Sequence, residues 1–427
     1  MKVYFVNDTS LNINWGSRAA SYMLRRMIET SGSHISATLP LSQLAQIDWG
    51  SKSSTQKAYA AISKTFAKPK KLSSIAQIVL RQIPPYLPDM VPKRWQDFES
   101  CAEQVMKQSW LSDIKSALLG CDVVMLNGEG GIFGQQRESR MMFFIAYLAK
   151  QYFNKPVALV NQTSDLSDPV LYEMAKHIYP KLDDVVFREP ISAELCKDFS
   201  TGFIAADTGF AFEPAPLKAW LEVASKPGYF HYYPESSGEF NPKEPYVCVG
   251  GSSIYYRKDR PSYDPVVGFS KLCERLLEQT QVVLTASAAA DLPIFEPIAK
   301  NLNLPLIRPS TPPQQAVDLL AHSAAYIGGR WHSSIFAFTG GAPVVALGAH
   351  TFKVASLLKQ MELDIQPFKA LDLERESDGI VSLLNNYLSQ GPSLRHSLRS
   401  KARALGELSW ENVRVLGKES KKQVQAA

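Results

Sequence analysis

Arg330 and His332 stand two residues apart, behind a Gly-Gly pair, in the stretch 323–347, SAAYIGGRWHSSIFAFTGGAPVVAL. An arginine offers a permanently charged, planar fork of donors that matches carboxylate and phosphate, and a histidine exchanges protons near neutral pH. The neighbouring residues set both in place. Apolar 324–327 predicts a strand, and Gly328-Gly329 predicts a tight turn that lets the backbone approach a ligand. Ser333 and Ser334 predict caps for a helix reaching Phe338, Gly340-Gly341 ends that helix, and 343–347 predicts a second buried strand. A helix N-terminus carries free amides and partial positive charge, which favour an anion. Arg330, Ser333 and Ser334 thus predict an anion-binding corner, with His332 beside it as a proton-transfer group.

The same residues, GGRWHSSIFAFTGGAPVVAL, resemble the C-terminal signature of the polysaccharide pyruvyltransferase family: an Arg-x-His, an apolar helix, a small-residue turn and Pro-Val-Val-Ala-Leu. The resemblance implies an α/β fold of two Rossmann-like lobes facing a central cleft, similar to GT-B glycosyltransferases. It implies transfer of the enolpyruvyl unit of phosphoenolpyruvate onto two hydroxyls of a sugar, forming a cyclic ketal. Phosphoenolpyruvate would be the donor substrate, with no separate cofactor, and the acceptor a sugar or oligosaccharide of a polysaccharide or its precursor. Arg330 and His332 would be the donor-site pair. His350, just past the next strand, is a second candidate acid.

Other polar residues sit where predicted strands end. The loop 127–131, Asn-Gly-Glu-Gly-Gly, has neither the G-x-G-x-x-G order of a dinucleotide site nor the lysine of a P-loop. It resembles the family's Gly-x-Gly element at the first lobe's cleft. Glu129 reads either as a cap for the next helix or as a cleft carboxylate that holds or deprotonates a sugar hydroxyl. Asn161, Gln162 and Thr163 follow a strand predicted over 156–160 and offer amides and a hydroxyl to sugar or phosphate oxygens. Arg188-Glu189-Pro190-Ile191-Ser192 resembles the family's Arg-[Asp/Glu]-x-x-Ser, with Ser192 capping the next helix. Arg188 reads either as a surface ion pair with Glu189 or as a second anion clamp in the cleft. Ala206-Asp207-x-x-Phe210 resembles a further family element, with Asp207 structural. Asn7, Asp8 and Asn14 serve equally well as turn and cap residues; the resemblance implies that Asn14 also meets acceptor or donor.

The elements that must position these residues alternate. Strands are predicted over 2–6, 122–126, 156–160, 185–187, 246–250, 282–285 and 306–307, and helices over 17–30, 98–119, 138–152, 171–178, 267–279, 295–302 and 312–322. Strand-then-helix repeats predict parallel sheets. A chain of 427 residues exceeds one ordinary core, so two domains of about 200 residues are expected. The expected divisions are a first lobe at 1–215 with a basic insert at 57–95, and a proline-, glycine- and aromatic-rich link at 216–245. A donor-binding lobe at 246–400 follows, then a terminal helix with a polar tail at 401–427.

Apolar content of 45% with 20% charged residues describes a folded globular chain. The net charge of +5 fits anionic substrates or a membrane surface and is too small to predict nucleic acid. Five scattered cysteines without C-x-x-C spacing predict reduced thiols of a cytoplasmic protein and no zinc site. The start, MKVYFVNDTS, turns polar too soon for a signal peptide, and no apolar run approaches the roughly 20 residues that span a bilayer. The insert 57–95 is basic with interleaved Ile75, Ile78 and Val79. It reads as a solvated helix with a proline-rich loop, or as a surface lying on an anionic membrane, which a lipid-linked acceptor would favour.

The alternative is a GT-B glycosyltransferase using a nucleotide sugar. Such an enzyme would want a carboxylate for the ribose in the helix 333–339, which contains none, and no Asp-x-Asp at a strand end predicts a divalent metal. A sugar-binding subunit without activity has little use for an Arg and a His converging on an anion site.

Overall fold

A computed structural model describes residues 1–45, 91–108, 110–232, 238–257 and 261–417. Its strands form two sheets in which every neighbouring pair is parallel. The first contains β1 (Lys2–Asp8), β2 (His34–Pro40), β3 (Val123–Phe133), β4 (Val157–Asp165), β5 (Asp184–Phe187) and β6 (Phe203–Ile204), in the order 2-1-3-4-5-6. The second contains β7 (Tyr246–Ser252), β8 (Gln281–Thr285), β9 (Leu306–Ile307), β10 (Ala325–Gly329) and β11 (Val344–Ala346), in the order 11-10-7-8-9. The central strands are apolar runs buried on both faces, as a parallel sheet covered by helices requires. The chain winds away from β1 and from β7 in both directions, so each sheet has a switch point, between β1 and β3 and between β7 and β10. Loops leaving the strands part there and open a crevice. The two switch points face each other, and the cleft lies between them.

Several elements depart from the sequence expectation. β2 was not anticipated, because HISATLP carries the weak alternation of an edge strand, with His34, Ser36 and Thr38 outward. The single helix expected over 98–119 is two, Phe98–Lys107 and Ser112–Gly120, with extended backbone at Gln108 and a left-handed Leu111 (φ 52°) between them. The glycine-rich segment 127–131 is no loop: β3 runs through it with a register shift between Glu129 and Ile132. β4 likewise runs on through Asn161–Thr163. The link carries a helix, Leu217–Ala224, because Trp220 buries itself against Tyr246. The insert 57–95, up to residue 90, and the tail from 418 lie outside the described residues.

The lobes share one apolar cluster, in which Trp15, Phe210 and Phe212 of the first pack with Trp331, Ile335 and Phe336 of the second. The helix Leu373–Ser409 spans position 400, and its backbone breaks at Gly391 (φ 55°) before Pro392. Ahead of the break, Ile380, Leu384 and Tyr387 pack on the second lobe. Beyond it, Leu398, Ala402 and Leu405 join the shared cluster, and Asn412 bonds Asn161 and Ala206 of the first lobe. No helix among the described residues is long and apolar enough to cross a membrane.

Candidate active site

The cleft has a volume of about 280 Å³ and is lined from both lobes, by Asn7, Asn14, Gly16, Ser17, Glu129 and Arg188 on one side and Ser253, Arg330, Trp331, His332, Ser333, His350 and Lys353 on the other. Its floor is the start of the helix Trp331–Thr339, to which β10 leads directly. This helix begins three residues earlier than a cap at Ser333 predicts. Arg330 takes the N-cap position and makes no side-chain cap, so the first-turn amides at 331–333 are left to the cleft. Ser334 instead turns its hydroxyl back onto the Arg330 carbonyl (2.9 Å), and Ser333 stays in the lining.

Arg330 and His332 both line the cleft, each tied to a fully buried carboxylate. Arg330 Nη2 donates to Asp291 Oδ1 (2.7 Å) and to the Tyr256 hydroxyl (2.6 Å), with its guanidinium 4.8 Å over the Tyr256 ring. Asp291 is held in turn by Ser287, the Ala288 amide and the Tyr256 hydroxyl. Only glycine fits at 251, where a Cβ would stand 2.4 Å from Asp291 Oδ1. His332 Nε2 is buried 3.4 Å from Asp207 Oδ2. Its Nδ1 faces Gly16, whose added Cβ would come within 2.1 Å. A carboxylate on one ring nitrogen fixes the plane and leaves the other for proton exchange.

Asp207, expected to be structural, is the hub of this corner. It accepts from Arg188 Nη1 (2.8 Å), Trp331 Nε1 (2.9 Å) and the Gly209 amide (2.7 Å). Burial pushes its carboxyl up, but His332, Arg188 and the Gly209 amide together hold it well below the usual range. Arg188 is thus no surface residue paired with Glu189. Its side chain is 1% exposed, bonds Thr163 and Asp207, stacks on Trp331 and points Nη2 toward Gly130 in the cleft wall. Glu189, not Ser192, caps the following helix, and it also accepts from Ser356 across the lobes (2.5 Å).

Glu129 enters the cleft at positive φ (45°), steadied by Ser17 Oγ (2.6 Å) and Thr9 Oγ1 (3.3 Å), and does not cap the next helix. Asn14 lines the cleft while capping the helix Trp15–Thr30 through the Gly16 and Ser17 amides. Asn161 and Gln162 do not line it. Both are fully buried: Asn161 bridges Asn127, Thr208 and Asn412, and the Gln162 carbonyl accepts from Ser164 and Tyr179. With β4 extended past them, their side chains are spent on the interior.

Two cleft residues were missed or misjudged from sequence. Lys353 was not singled out from the sequence. Burial, then Arg188 and Arg330, push its ammonium down to about 7, against the pull of Glu129. His350 hydrogen-bonds Ser253 (2.7 Å) and packs on Phe133, and burial with Lys353 and Arg257 pushes it down to about 4. It is neutral at neutral pH, which suits a hydrogen-bonding role better than that of an acid. Among the described residues no group of His, Cys, Asp and Glu is placed to hold a metal ion.

A family model described as polysaccharide pyruvyl transferase matches residues 47–351. No curated protein matches the chain. UDP-GlcNAc 2-epimerase from Neisseria meningitidis, solved bound to UDP-GlcNAc, is similar in structure, with TM-score 0.51, 13% identity and coverage of 97% of this chain and 99% of that one. Spinosyn rhamnosyltransferase SpnG, solved with thymidine diphosphate, gives TM-score 0.52, 10% identity, and coverage of 97% and 100%. At such identities the likeness shows the fold, which is GT-B.

Proposed function

The chain belongs to the polysaccharide pyruvyl transferase family and is a transferase, and from that premise we propose that it carries the enolpyruvyl unit of phosphoenolpyruvate to two hydroxyls of a sugar, forming a pyruvate ketal. The observation that carries this reading is the convergence, at one uncapped helix start, of two guanidinium groups and a lysine beside an imidazole backed by a buried carboxylate. Such a corner suits a small ligand bearing both phosphate and carboxylate.

The reaction needs a proton on the donor's methylene carbon as the first sugar hydroxyl bonds to the neighbouring carbon. Phosphate then leaves with its bridging oxygen, and the second hydroxyl closes the ring. Of the two hydroxyl protons, one balances the new methyl group and the other departs with phosphate. His332 delivers the proton to carbon, with Asp207 as the residue that positions it. Glu129 takes a proton from the attacking hydroxyl. Arg188, Arg330 and the 331–333 amides bind the donor's charged groups and stabilise the charge that moves onto phosphate as the bond breaks. The acceptor is a sugar of a polysaccharide or its lipid-linked precursor, met in the cytoplasm with 57–95 as the contact to a membrane face.

The structural neighbours' ligands, UDP-GlcNAc and thymidine diphosphate, define the competing reading. Calorimetric titration of the full chain with phosphoenolpyruvate, UDP and thymidine diphosphate separates them. Binding of phosphoenolpyruvate alone is expected; binding of the nucleotides without it would replace this function by sugar transfer.

A further inference from the structure

Three side-chain atoms of cleft-lining residues are buried without a hydrogen-bond partner among the described residues: Arg330 Nε, His332 Nε2 and Asn7 Oδ1. The arginine nitrogen is a donor on a guanidinium already bonded to Asp291, and the imidazole nitrogen stands 3.4 Å from Asp207. Asn7 Oδ1 differs from both, because it can only accept and no donor meets it. The orientation of its amide is fixed: Nδ2 donates to the Asn127 carbonyl at 2.7 Å, and a carbonyl can bond only the nitrogen end. Asn7 is 3% exposed, and a sheltered acceptor left unpaired is costly. Buried acceptors in folded proteins are nearly always paired, so one left open in a cleft marks a place for a ligand's donor.

The backbone agrees. Asn7 ends β1 in the left-handed region (φ 63°), a strained conformation of the kind that clusters at binding sites. Asn161 on β4 shares it (φ 53°) and shows what such an asparagine does when its task is structural. Its Nδ2 donates to Asn127 and its Oδ1 accepts from the Thr208 amide, so both ends are used. Asn7 uses one. Strand pairing also sets it beside the cleft carboxylate. β1 and β3 pair up to Val6 and Leu126, so Asn7 meets Asn127, and Thr9, two residues on, meets Glu129 (3.3 Å). Of the neighbouring side chains, Asn14 spends its oxygen on the Gly16 and Ser17 amides, and Ser17 Oγ donates to Glu129. Asn7 Oδ1 and the Glu129 carboxylate, whose partners are hydroxyls, remain as acceptors on this wall.

We propose that Asn7 selects the acceptor: its Oδ1 takes a hydrogen bond from the second of the two sugar hydroxyls, the one that Glu129 does not hold. This rests on the ketal reading for the reaction itself. No proton passes to Asn7; it orients the hydroxyl that later closes the ring and so decides which pair of hydroxyls reacts. A sugar lacking that hydroxyl would leave the buried oxygen unpaired, and a site of this kind discriminates strongly against such an analogue.

The test is ligand-observed NMR titration of the full chain with the methyl glycosides of glucose, galactose, mannose and N-acetylglucosamine, then with the monodeoxy analogues of those that bind. It is run on wild type, Asn7→Gly and Asn7→Asp, with phosphoenolpyruvate binding followed separately by calorimetry. Wild type should bind at least one glycoside. Asn7→Gly, which accepts a positive φ, should bind it roughly 3- to 10-fold more weakly, the worth of a hydrogen bond between neutral groups. Asn7→Asp also loses the bond to the Asn127 carbonyl but keeps an acceptor oxygen, so it should bind the glycoside better than Asn7→Gly; a purely structural role would make it no better. One monodeoxy analogue should be penalised by the same factor against wild type and not against Asn7→Gly. Phosphoenolpyruvate should bind all three alike. Failure of wild type to bind any glycoside, equal glycoside binding by wild type and Asn7→Gly, or a deoxy penalty undiminished in Asn7→Gly would each overturn the proposal. Asn7-dependent glycoside binding by a protein indifferent to phosphoenolpyruvate would support the subsite and remove the ketal reading.

Discussion

Replacing Asp207 by Asn removes one charge from a fully buried position and changes almost nothing in shape. In the native protein its carboxylate accepts from Arg188 at 2.8 Å and Trp331 at 2.9 Å, with His332 Nε2 at 3.4 Å. The amide keeps one acceptor, but its NH2 meets one of these donors head-on, and Arg188, 1% exposed, is left as a buried cation without a counter-ion. Breaking a buried ion pair from one side costs about 3–5 kcal/mol. With an unfolding entropy of about 2.1 cal/mol/K per residue, that is a fall in Tm of roughly 3–6 °C if all 427 residues melt together, and about twice that if a lobe melts alone. Scanning calorimetry at neutral pH measures it. Adding Arg188→Met removes the stranded cation, so the double variant should recover a good part of the loss. The pH dependence has a definite sign. Asp207 is held below the usual carboxylate range in the folded protein, so its contribution is present above the unfolded value of about 3.9 and lost as pH falls through the folded one. The gap between wild type and Asp207→Asn should be flat across neutral pH and close only in strong acid. A variant melting within about 1 °C of wild type, or a double variant as unstable as the two singles summed, would refute the assignment of Asp207 as the hub.

Three further outcomes are expected. Gly16→Ala places a Cβ 2.1 Å from His332 Nδ1 and so displaces the imidazole; kcat should fall on the order of 100-fold with little change in donor KM, read in steady-state assays of phosphate release. His332→Ala should abolish turnover while phosphoenolpyruvate still binds in calorimetry. Arg330→Ala should weaken donor binding first, and lower the Tm as well, because buried Asp291 loses its counter-ion.

Most of the strand-and-helix order was legible because apolar runs of parallel strands are long, unbroken and punctuated by glycine and polar residues. Arg330, His332 and Glu129 could be picked out by place alone, each in a strand-end segment among glycines. What failed were distinctions that depend on where a strand stops. Asn161 and Gln162 would have faced the cleft had β4 ended at Val160; it runs to Asp165, and both turn inward. Ser333 and Ser334 are good cap residues, yet β10 delivers the chain straight into the helix, so Arg330 takes the cap position. Asp207, Asp291 and Lys353 left no local signal, since their meaning comes from partners 124, 39 and 165 positions away in Trp331, Arg330 and Arg188. A carboxylate's role as counter-ion is a property of the folded pair.

The pairing of two arginines with buried carboxylates also explains how the lobes can hold these cations side by side. The lobes share an apolar cluster and are bridged by Asp207 with Trp331, Glu189 with Ser356 and Trp15 with the Ser287 carbonyl. Three uncompensated cations between the lobes would repel one another in a medium where charge is poorly screened. Two fixed carboxylates remove most of that repulsion, Glu129 offsets part of what remains, and the lysine can shed its proton. The guanidinium planes are thereby held in place before any ligand arrives, which spares the reaction the cost of ordering them. A side chain at 353 that cannot shed its charge, as in Lys353→Arg, should therefore leave the protein less stable than wild type at about pH 8, which scanning calorimetry measures.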